Sequence, residues 1–212
     1  GSSYNYNNEF AAVGFFGRVN YDYKGKYLLE ANVRYDGSSM FPEGKKFGLF
    51  PSFSAGWRAS EEAFMNWAKP AMSDLKIRGS WGTIGNQDVA ANTFISTMAS
   101  GTSGWVVNGV NLLRLSAPTV TSASLTWEKV TTLDLGFDAR FFNGDFGVTF
   151  DWYQRVTSDM HTAGVTLPST FGASVPKINY GELTATGWEL ALDYNHKFDN
   201  GLGLNVRGSI SH

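Results

Sequence analysis

The strongest pattern in the chain is a strict alternation of apolar and polar side chains along residues 127–157. The odd positions from Leu133 to Phe141 are all apolar, and the even positions between them are polar or glycine. Successive side chains of a β-strand point to opposite faces, so this period of two predicts a strand with one apolar face. Asn143-Gly144 follows, a dipeptide that suits a tight hairpin turn because both residues accept positive φ. The alternation then resumes, which predicts a second strand.

The length of this predicted hairpin points to a membrane. Each of its strands has about ten residues or more, whereas strands of soluble proteins usually have about five to six. About 9–11 tilted residues are needed to cross a bilayer as a β-strand, and the hairpin matches that length. Its charges lie on one face and its bulky apolar groups on the other. This division is typical of a membrane barrel with an aqueous lumen and a lipid-facing exterior.

Six further segments show the same alternation and predict additional strands. They are residues 13–24, 27–35, 52–60, 75–83, 188–194 and 202–210. With the hairpin, they make about eight antiparallel strands, each expected to pair with the next in sequence. We therefore predict an all-β chain, a meander that forms part of a transmembrane β-barrel. Its first and last strands should be edges of an open sheet, with closure into an eight-stranded barrel the less favoured outcome.

The connections between these strands alternate between short and long. The short ones surround Gly25, Gly144 and Gly201, together with the segment 61–74, a short helical turn limited by Pro70. The long ones are residues 36–51, 85–126 and 158–178. Short turns at one end and long loops at the other are typical of outer-membrane barrels.

Aromatic residues of the apolar face are expected to form two bands, because amphipathic rings favour the level of the lipid headgroups. The band near the short turns comprises Tyr21, Tyr23, Tyr27, Phe141, Phe146 and Tyr194, and the band near the long loops comprises Tyr35, Trp81, Trp127 and Trp152.

Composition excludes several classes of function. The net charge of −2 gives no indication of a nucleic-acid partner, and the absence of cysteine excludes disulfides and thiolate metal sites. His161, His196 and His212 lack the spacing of a metal motif. No constellation of residues predicts catalysis or a cofactor, so we do not expect an enzyme. A mean hydropathy of −0.20 is compatible with a membrane barrel, since half of each strand faces water.

The charged residues of the polar face are the candidates for function. They are Arg18, Asp22, Glu30, Arg34, Arg58, Arg78, Asp134, Asp138, Arg140, Asp151, Arg155, Glu189, Asp193 and Arg207. They would either line a hydrophilic path and contact a plug, or satisfy one another through cross-strand ion pairs, which is the favoured interpretation. Trp105, in the longest loop, would either stack on a sugar ring or pack against its own loop. The sequence identifies no substrate-binding residue.

Several stretches resemble consecutive barrel segments of SusC/RagA-type TonB-dependent outer-membrane transporters. They are FGRVNYDYKGKYLLEANVRYDGSSMF, GLFPSFSAGWRASEEAF, LKIRGSWGTIGNQ, LTWEKVTTLDLGFDARFFNGDFGVTFDWYQRVTSDM and INYGELTATGWELALDYN. The resemblance spans nearly the whole chain, in family order. It implies a plugged barrel of 22 strands in the outer membrane of a Gram-negative, Bacteroidetes-like cell. It also implies TonB-driven import of glycan or peptide fragments, with a SusD-like surface lipoprotein as a lid.

The resemblance also implies that residues 1–212 are one part of a larger receptor barrel. The family's plug, its TonB box and its remaining strands have no counterpart in the sequence. The first residues lack the basic and apolar regions of a signal peptide, and the alternation continues to the last residues. We therefore expect a segment of roughly a third of the barrel.

A soluble β-sandwich, such as a glycan-binding module, is the alternative fold. It would also explain alternation and exposed aromatic residues. A sandwich requires two stacked sheets with polar outer faces and shorter strands. The concentration of charge on one face and of aromatic rings on the other favours the membrane barrel.

Overall fold

Within the part of the chain that the structure describes, ten strands make up nearly all the regular structure. The computed structural model describes residues 9–88, 94–122, 125–164, 168, 170 and 175–212. The strands are β1 Ala12–Tyr23, β2 Tyr27–Ser38, β3 Phe47–Arg58, β4 Met72–Asn86, β5 Ser100–Val107, β6 Val110–Leu115, β7 Glu128–Phe141, β8 Phe146–Ala163, β9 Lys177–Lys197 and β10 Gly203–Ser211. Short 3₁₀ turns span Ala59–Glu61, Ala63–Met65 and Phe142–Gly144. No helix in the described ranges is long and apolar enough to span a membrane.

Eight strands form one antiparallel sheet in the order β1-β2-β3-β4-β7-β8-β9-β10. Each strand pairs with its neighbour along the meander, and Leu135 of β7 lies opposite Trp152 of β8, as the alternation predicts. β1 and β10 are the two edges, so the sheet is open. No second sheet stacks on it within the described residues, since β5 and β6 pair only with each other as a separate hairpin. The sandwich alternative therefore finds no support.

The register keeps the apolar face continuous from strand to strand. One row runs across Phe53 of β3, Trp81 of β4 and Leu133 of β7, and the rings of Phe53 and Trp81 stack at 6.1 Å. The next row runs through Leu135, Trp152 and Trp188. We call this side, with its continuation in the other strands, the outer face. Many of its side chains remain exposed, among them Phe15, Val19, Leu29, Phe53, Leu135 and Ile210.

Three connections are shorter or more ordered than the alternation predicts. β2 and β3 extend to Ser38 and Phe47, so the predicted loop 36–51 contracts to residues 39–46. β8 continues to Ala163 through two register shifts, which removes the first part of the predicted loop 158–178. The loop 85–126 contains the β5–β6 hairpin. Pro51 belongs to β3 because β4 pairs with β3 only from Ser52 onward, and a residue without N–H is tolerated where a strand has one neighbour.

The chain expressed alone without detergent is expected to form inclusion bodies. Its outer face leaves many large apolar side chains exposed, whereas soluble monomers rarely tolerate extended apolar patches. The free edges of β1 and β10 add unpaired backbone groups. Size exclusion with light scattering of the protein expressed in plain buffer checks this expectation. A monodisperse monomer would contradict it.

Candidate functional site

The face opposite the outer face carries the candidate charges, and we call it the polar wall. Its centre is Arg78 of β4. The Arg78 guanidinium contacts carboxylates on β7 and β8, the next two strands of the sheet. Nε lies 3.1 Å from Oδ2 of Asp138, and the two terminal nitrogens each lie 2.7 Å from an oxygen of Asp151. Asp134 lies 3.7 Å away. Of the two contacts with Asp151, the one to Oδ2 is a hydrogen bond, and the one to Oδ1 is a close charge–charge contact without hydrogen-bond geometry. A hydrogen bond between two charged groups is stronger than one between neutral groups.

Gly136 makes the contact between Arg78 and Asp151 possible. Arg78 and Asp151 both lie opposite Gly136, one in β4 and the other in β8, so their side chains must meet above β7. A Cβ at Gly136 would overlap Oδ1 of Asp151 and would lie 2.6 Å from the carbonyl oxygen of Phe150. The glycine therefore leaves the space in which an ion pair bridges alternate strands.

The same arrangement recurs one strand further along the sheet. Arg140 of β7 and Asp193 of β9 both lie opposite Gly147 of β8. The Arg140 guanidinium donates to Oδ2 of Asp193 at 2.6 Å, and the Asn195 side-chain amide donates to the same oxygen at 2.9 Å. A Cβ at Gly147 would overlap Asp193 and would lie 2.8 Å from the Arg140 nitrogen. Arginine, glycine and aspartate on three consecutive strands thus form a repeated bridge.

Other predicted charges have their partners on the same strand, on the neighbouring strand or in the adjacent turn. Arg18 donates to Asn32 at 2.7 Å and lies 3.9 Å from Glu30, and Arg34 pairs with Asp36 on its own strand. The Asp22 carboxylate accepts the backbone N–H of the turn residue Gly25. These contacts support the interpretation that polar-face charges satisfy one another.

A polar depression of about 440 Å³ adjoins the Arg78 cluster. Arg78, Asp134 and Asp151 line it, together with Arg155 and Glu189. Five of the predicted charges therefore converge on one region of the polar wall, whereas Arg58 and Arg207 lie elsewhere on the sheet, in β3 and β10.

Gly136→Ala is expected to destabilise the folded protein by about 1–3 kcal/mol. The added methyl group would collide with the carbonyl oxygen of Phe150, which the hydrogen bonds between β7 and β8 hold in place. Gly79→Ala is the matched control. Gly79 of β4 is also paired with β7, but a Cβ there would lie 3.1 Å from the side-chain Cδ2 of Leu135 and would meet backbone only at an ordinary contact distance, 3.7 Å from the carbonyl oxygen of Asp134. Urea titration of the folded fraction in lipid vesicles measures both changes. Equal destabilisation would contradict the bridging role of Gly136.

Trp127 occupies a position that differs from the predicted one. The alternation predicts it in the aromatic band of the outer face, but it is buried in a cluster with Phe41, Phe50 and Leu125. Its ring lies 4.9 Å from that of Phe41 and 5.4 Å from that of Phe50, and its Nε1 donates to the carbonyl of Lys46. Trp127 precedes β7, where the alternation no longer constrains a side chain. It therefore anchors the loops rather than contacting lipid.

Asn179 of β9 fixes the entry to β7. Its side-chain amide donates to the carbonyls of Thr126 and Asp159 at 2.9 and 2.7 Å, and its oxygen accepts the N–H of Thr126 at 3.0 Å. A ring nitrogen of His161 lies 2.8 Å from the same Thr126 carbonyl. The alternation gives no signal for this contact, because it joins the backbone of Thr126, which precedes β7, to the backbone of Asp159 in β8.

The β5–β6 hairpin extends the long-loop end with apolar side chains. Trp105, in its irregular part, is 78% exposed, so it does not pack against its own loop. Val106, Val110, Leu113 and Leu115 are exposed as well. The hairpin therefore presents an apolar surface at the end of the sheet that bears the long loops.

Glu62 joins the β3–β4 connection to β2 and β3 at the opposite end of the sheet, near the short turns. Its carboxylate accepts hydrogen bonds from the Tyr27 hydroxyl at 2.7 Å, the Trp57 indole at 3.4 Å and the Lys26 ammonium at 3.5 Å. Tyr27 begins β2, Trp57 is near the end of β3, and Glu62 lies in the β3–β4 connection. The hydrogen bonds from Tyr27 and Trp57 stabilise the charged form and hold the pKa of Glu62 below its ordinary value.

Glu62→Gln is expected to lower the thermal stability at neutral pH. Because the folded-state pKa is depressed, the carboxylate stabilises the fold above its ordinary pKa, and this contribution disappears as the pH falls through the folded value. The difference in Tm between wild type and variant should therefore be largest at neutral pH and should shrink as the pH falls through the folded-state pKa of Glu62. The exposed neighbour Glu61, changed to Gln, is the control. A Tm difference that is unchanged by acid would contradict the assignment.

The two histidines in the described strands, His161 and His196, contact protein oxygen atoms. His196 places Nδ1 2.6 Å from a carboxylate oxygen of Asp145, and His161 contacts loop backbone. Among the residues that the structure describes, no group of three or more His, Asp or Glu side chains could hold a metal ion.

Comparison with known proteins agrees with this geometry. The family model of the β-barrel of TonB-dependent receptor-like proteins matches residues 1–211. A TonB-dependent receptor of Formosa agariphila is 35% identical over 192 residues, which cover 90% of this chain and 19% of that protein. The TonB-dependent receptor SusC of Bacteroides thetaiotaomicron is 32% identical over 190 residues, 85% of this chain and 18% of SusC.

A solved structure shows the same fold. The RagAB peptide importer in its open-open state matches with a TM-score of 0.81 at 24% identity, over 95% of this chain and 21% of that one. The chain thus spans about a fifth of the length of the curated relatives it matches. The lipid-compatible outer face, the open antiparallel meander and the family match together place the chain in the outer membrane. The chain belongs to the TonB-dependent receptor family, as a SusC/RagA-like segment of its β-barrel.

Proposed function

We propose that residues 1–212 form part of the barrel wall of a transporter that imports glycan or peptide fragments across the outer membrane. The observation that carries the proposal is the division of the sheet into an apolar outer face and a polar wall. The importer whose structure matches is described as a peptide importer, and the relatives of known sequence are TonB-dependent receptors. These likenesses support import rather than catalysis.

The proposal includes partners and further segments of the receptor. A plug domain and the remaining strands would complete the barrel, and TonB would act through the plug. A SusD-like lipoprotein would cover the end that bears the long loops. The exposed β5–β6 hairpin supports such a lid, since its apolar side chains would gain by burial against a partner. Trp105 is the residue we would test for stacking on a sugar ring.

Growth on defined nutrients tests the proposed import. A strain with the receptor gene deleted is expected to lose growth on one class of oligosaccharide or peptide as the sole source of carbon or nitrogen. Reintroducing the intact gene should restore that growth. Deletion of TonB should cause the same loss. Unimpaired growth of the receptor deletion on every glycan and peptide pool tested would contradict the proposal.

Affinity purification from detergent-solubilised outer membranes tests the lid. The receptor should bring down a surface lipoprotein, and a variant with residues 100–115 replaced by a short Gly-Ser turn should retain less of it. Equal recovery with both receptors would remove the hairpin from the proposed contact.

A further inference from the structure

The β3–β4 connection, residues 59–71, exposes two large aromatic side chains at the end of the sheet that bears the short turns. Phe64 is 61% exposed and Trp67 is 80% exposed. From position 63 the chain reads AFMNWAKPA, in which Lys69 is the one charged residue. Exposed turns are usually polar, so an apolar turn with two exposed rings requires an explanation.

Contact with Trp57 places this connection on the outer face. The ring of Phe64 lies 6.3 Å from that of Trp57. Trp57 pairs with Tyr27 on one side and with Ile77 on the other, and it is the last outer-face residue of β3 before the connection. Phe64 therefore extends the lipid-facing surface past the end of β3. A plug inside the barrel would lie on the opposite side, against the polar wall.

The connection is held in place by hydrogen bonds. Glu62 binds Tyr27 and Trp57, as described above, and the buried Ser60 donates to Asp74 at 2.9 Å. The backbone N–H of Met72 donates to the carbonyl of Ala68 at 2.8 Å. Because both ends of the connection are fixed, its aromatic side chains are presented at a defined level relative to the strands.

We propose that the β3–β4 connection is a membrane-interface foot, with Phe64 and Trp67 seated among the phospholipid headgroups of the leaflet nearest the short turns. Aromatic rings favour this level of a bilayer, since one part of the ring system meets hydrocarbon and the other meets water. Lys69 supplies a cation suited to lipid phosphate. The foot continues the outer-face aromatic band past the end of β3, so it would fix the depth and the tilt of β3 and β4 in the membrane.

Depth-dependent quenching of a fluorescent label tests the foot. The chain contains no cysteine, so Trp67→Cys in the complete receptor can carry an NBD label after any cysteine elsewhere has been replaced. The receptor is reconstituted in phosphatidylcholine vesicles with nitroxides attached to the headgroup or deep in the acyl chain. Folding is verified by the heat-modifiable gel shift. Phe64→Cys is the second position, read in the same way.

Two controls define the scale. Leu135→Cys labels the centre of the outer face and should be quenched most by the deep nitroxide. Asp199→Cys labels an exposed position in the β9–β10 turn, at the same end of the sheet, and should respond mainly to aqueous iodide. We expect headgroup nitroxides to quench labels at 64 and 67 at least twofold more than the label at 199.

Two outcomes would overturn the proposal. Quenching at 64 and 67 that matches position 199 would place the connection in water. Protection of both labels from lipid nitroxides and from iodide would indicate a protein partner instead of lipid. Import need not be measured for either outcome, so failure of the foot and failure of the proposed transport remain distinguishable.

Discussion

Phe137→Arg is expected to destabilise the folded receptor by about 2–4 kcal/mol, whereas Thr149→Arg should cost much less. Phe137 lies on the outer face beside Ile77 and Phe150, so an arginine there must enter hydrocarbon or pull β7 toward the interface. Thr149 lies on the polar wall, where its hydroxyl donates to Asp138 at 3.2 Å. An arginine at that site would meet carboxylates and water.

Refolding of the two variants into lipid vesicles, followed by the heat-modifiable gel shift, measures the difference. Wild type and Thr149→Arg should give similar folded yields, and Phe137→Arg should give a clearly lower one. Equal yields for the two arginine variants would remove the assignment of the outer face to lipid. A soluble domain would show the loss for Phe137→Arg in plain buffer as well.

Arg78→Gln is expected to cost about 2 kcal/mol, which is the scale of a hydrogen bond to a charged group. The change leaves Asp134, Asp138 and Asp151 near one another without the cation that holds them together. The Arg78 side chain is 30% exposed, so solvent screening keeps the loss below that of a fully buried pair.

Arg34→Gln is the matched control for Arg78. Arg34 also carries an ion pair in the sheet, with Asp36, but its side chain is 63% exposed, and we expect a loss of less than about 1 kcal/mol. Adding Asp151→Asn to Arg78→Gln should recover part of the stability, because it removes one of the repelling charges. Urea midpoints in vesicles give all three values. A loss for Arg78→Gln no larger than for Arg34→Gln would contradict the central role of Arg78.

The arrangement of the sheet was predictable because one physical rule governs it. Because lipid lies on one side of the sheet and water on the other, apolar and polar residues alternate with a period of two along each strand. That alternation restricts which residues of neighbouring strands can lie opposite one another. Leu135 beside Trp152 follows directly, as do the edge positions of β1 and β10. The family resemblance led to the same architecture from quoted motifs.

The strand ends were less predictable because they extend beyond the constraint of the membrane. Residues 160–163 of β8 continue to pair with β9, but with shifted register and without clear alternation. Pro51 looked like a loop residue, although β3 accepts it where β4 is not its partner. The turn after β7 also differs in detail. Phe142 adopts φ 52° beside Asn143 and Gly144, so the hairpin closes over four residues instead of two.

The charged residues were predicted as a set, but their partners were not. Alternation placed Arg78 and Asp151 on one face, yet they lie two strands apart, and only a glycine between them permits contact. A signal for the bridge does exist in the sequence. Once register is known, an arginine and an aspartate opposite the same glycine can be recognised, as Arg140 and Asp193 opposite Gly147 confirm. Trp127 gave no such signal, since it lies outside the strands.

A spin-label scan of β7 tests the assignment of the two faces most directly. Single cysteines at positions 131–141 of the complete receptor, labelled in vesicles, report contact with oxygen dissolved in lipid and with a water-soluble nickel complex. We predict that oxygen contact peaks at the odd positions, including Leu135 and Phe137, and that nickel contact is low there. The even positions, including Asp134 and Asp138, should show low oxygen contact. Oxygen contact without a period of two, or with its maxima at the even positions, would contradict the account of this chain as a receptor barrel wall.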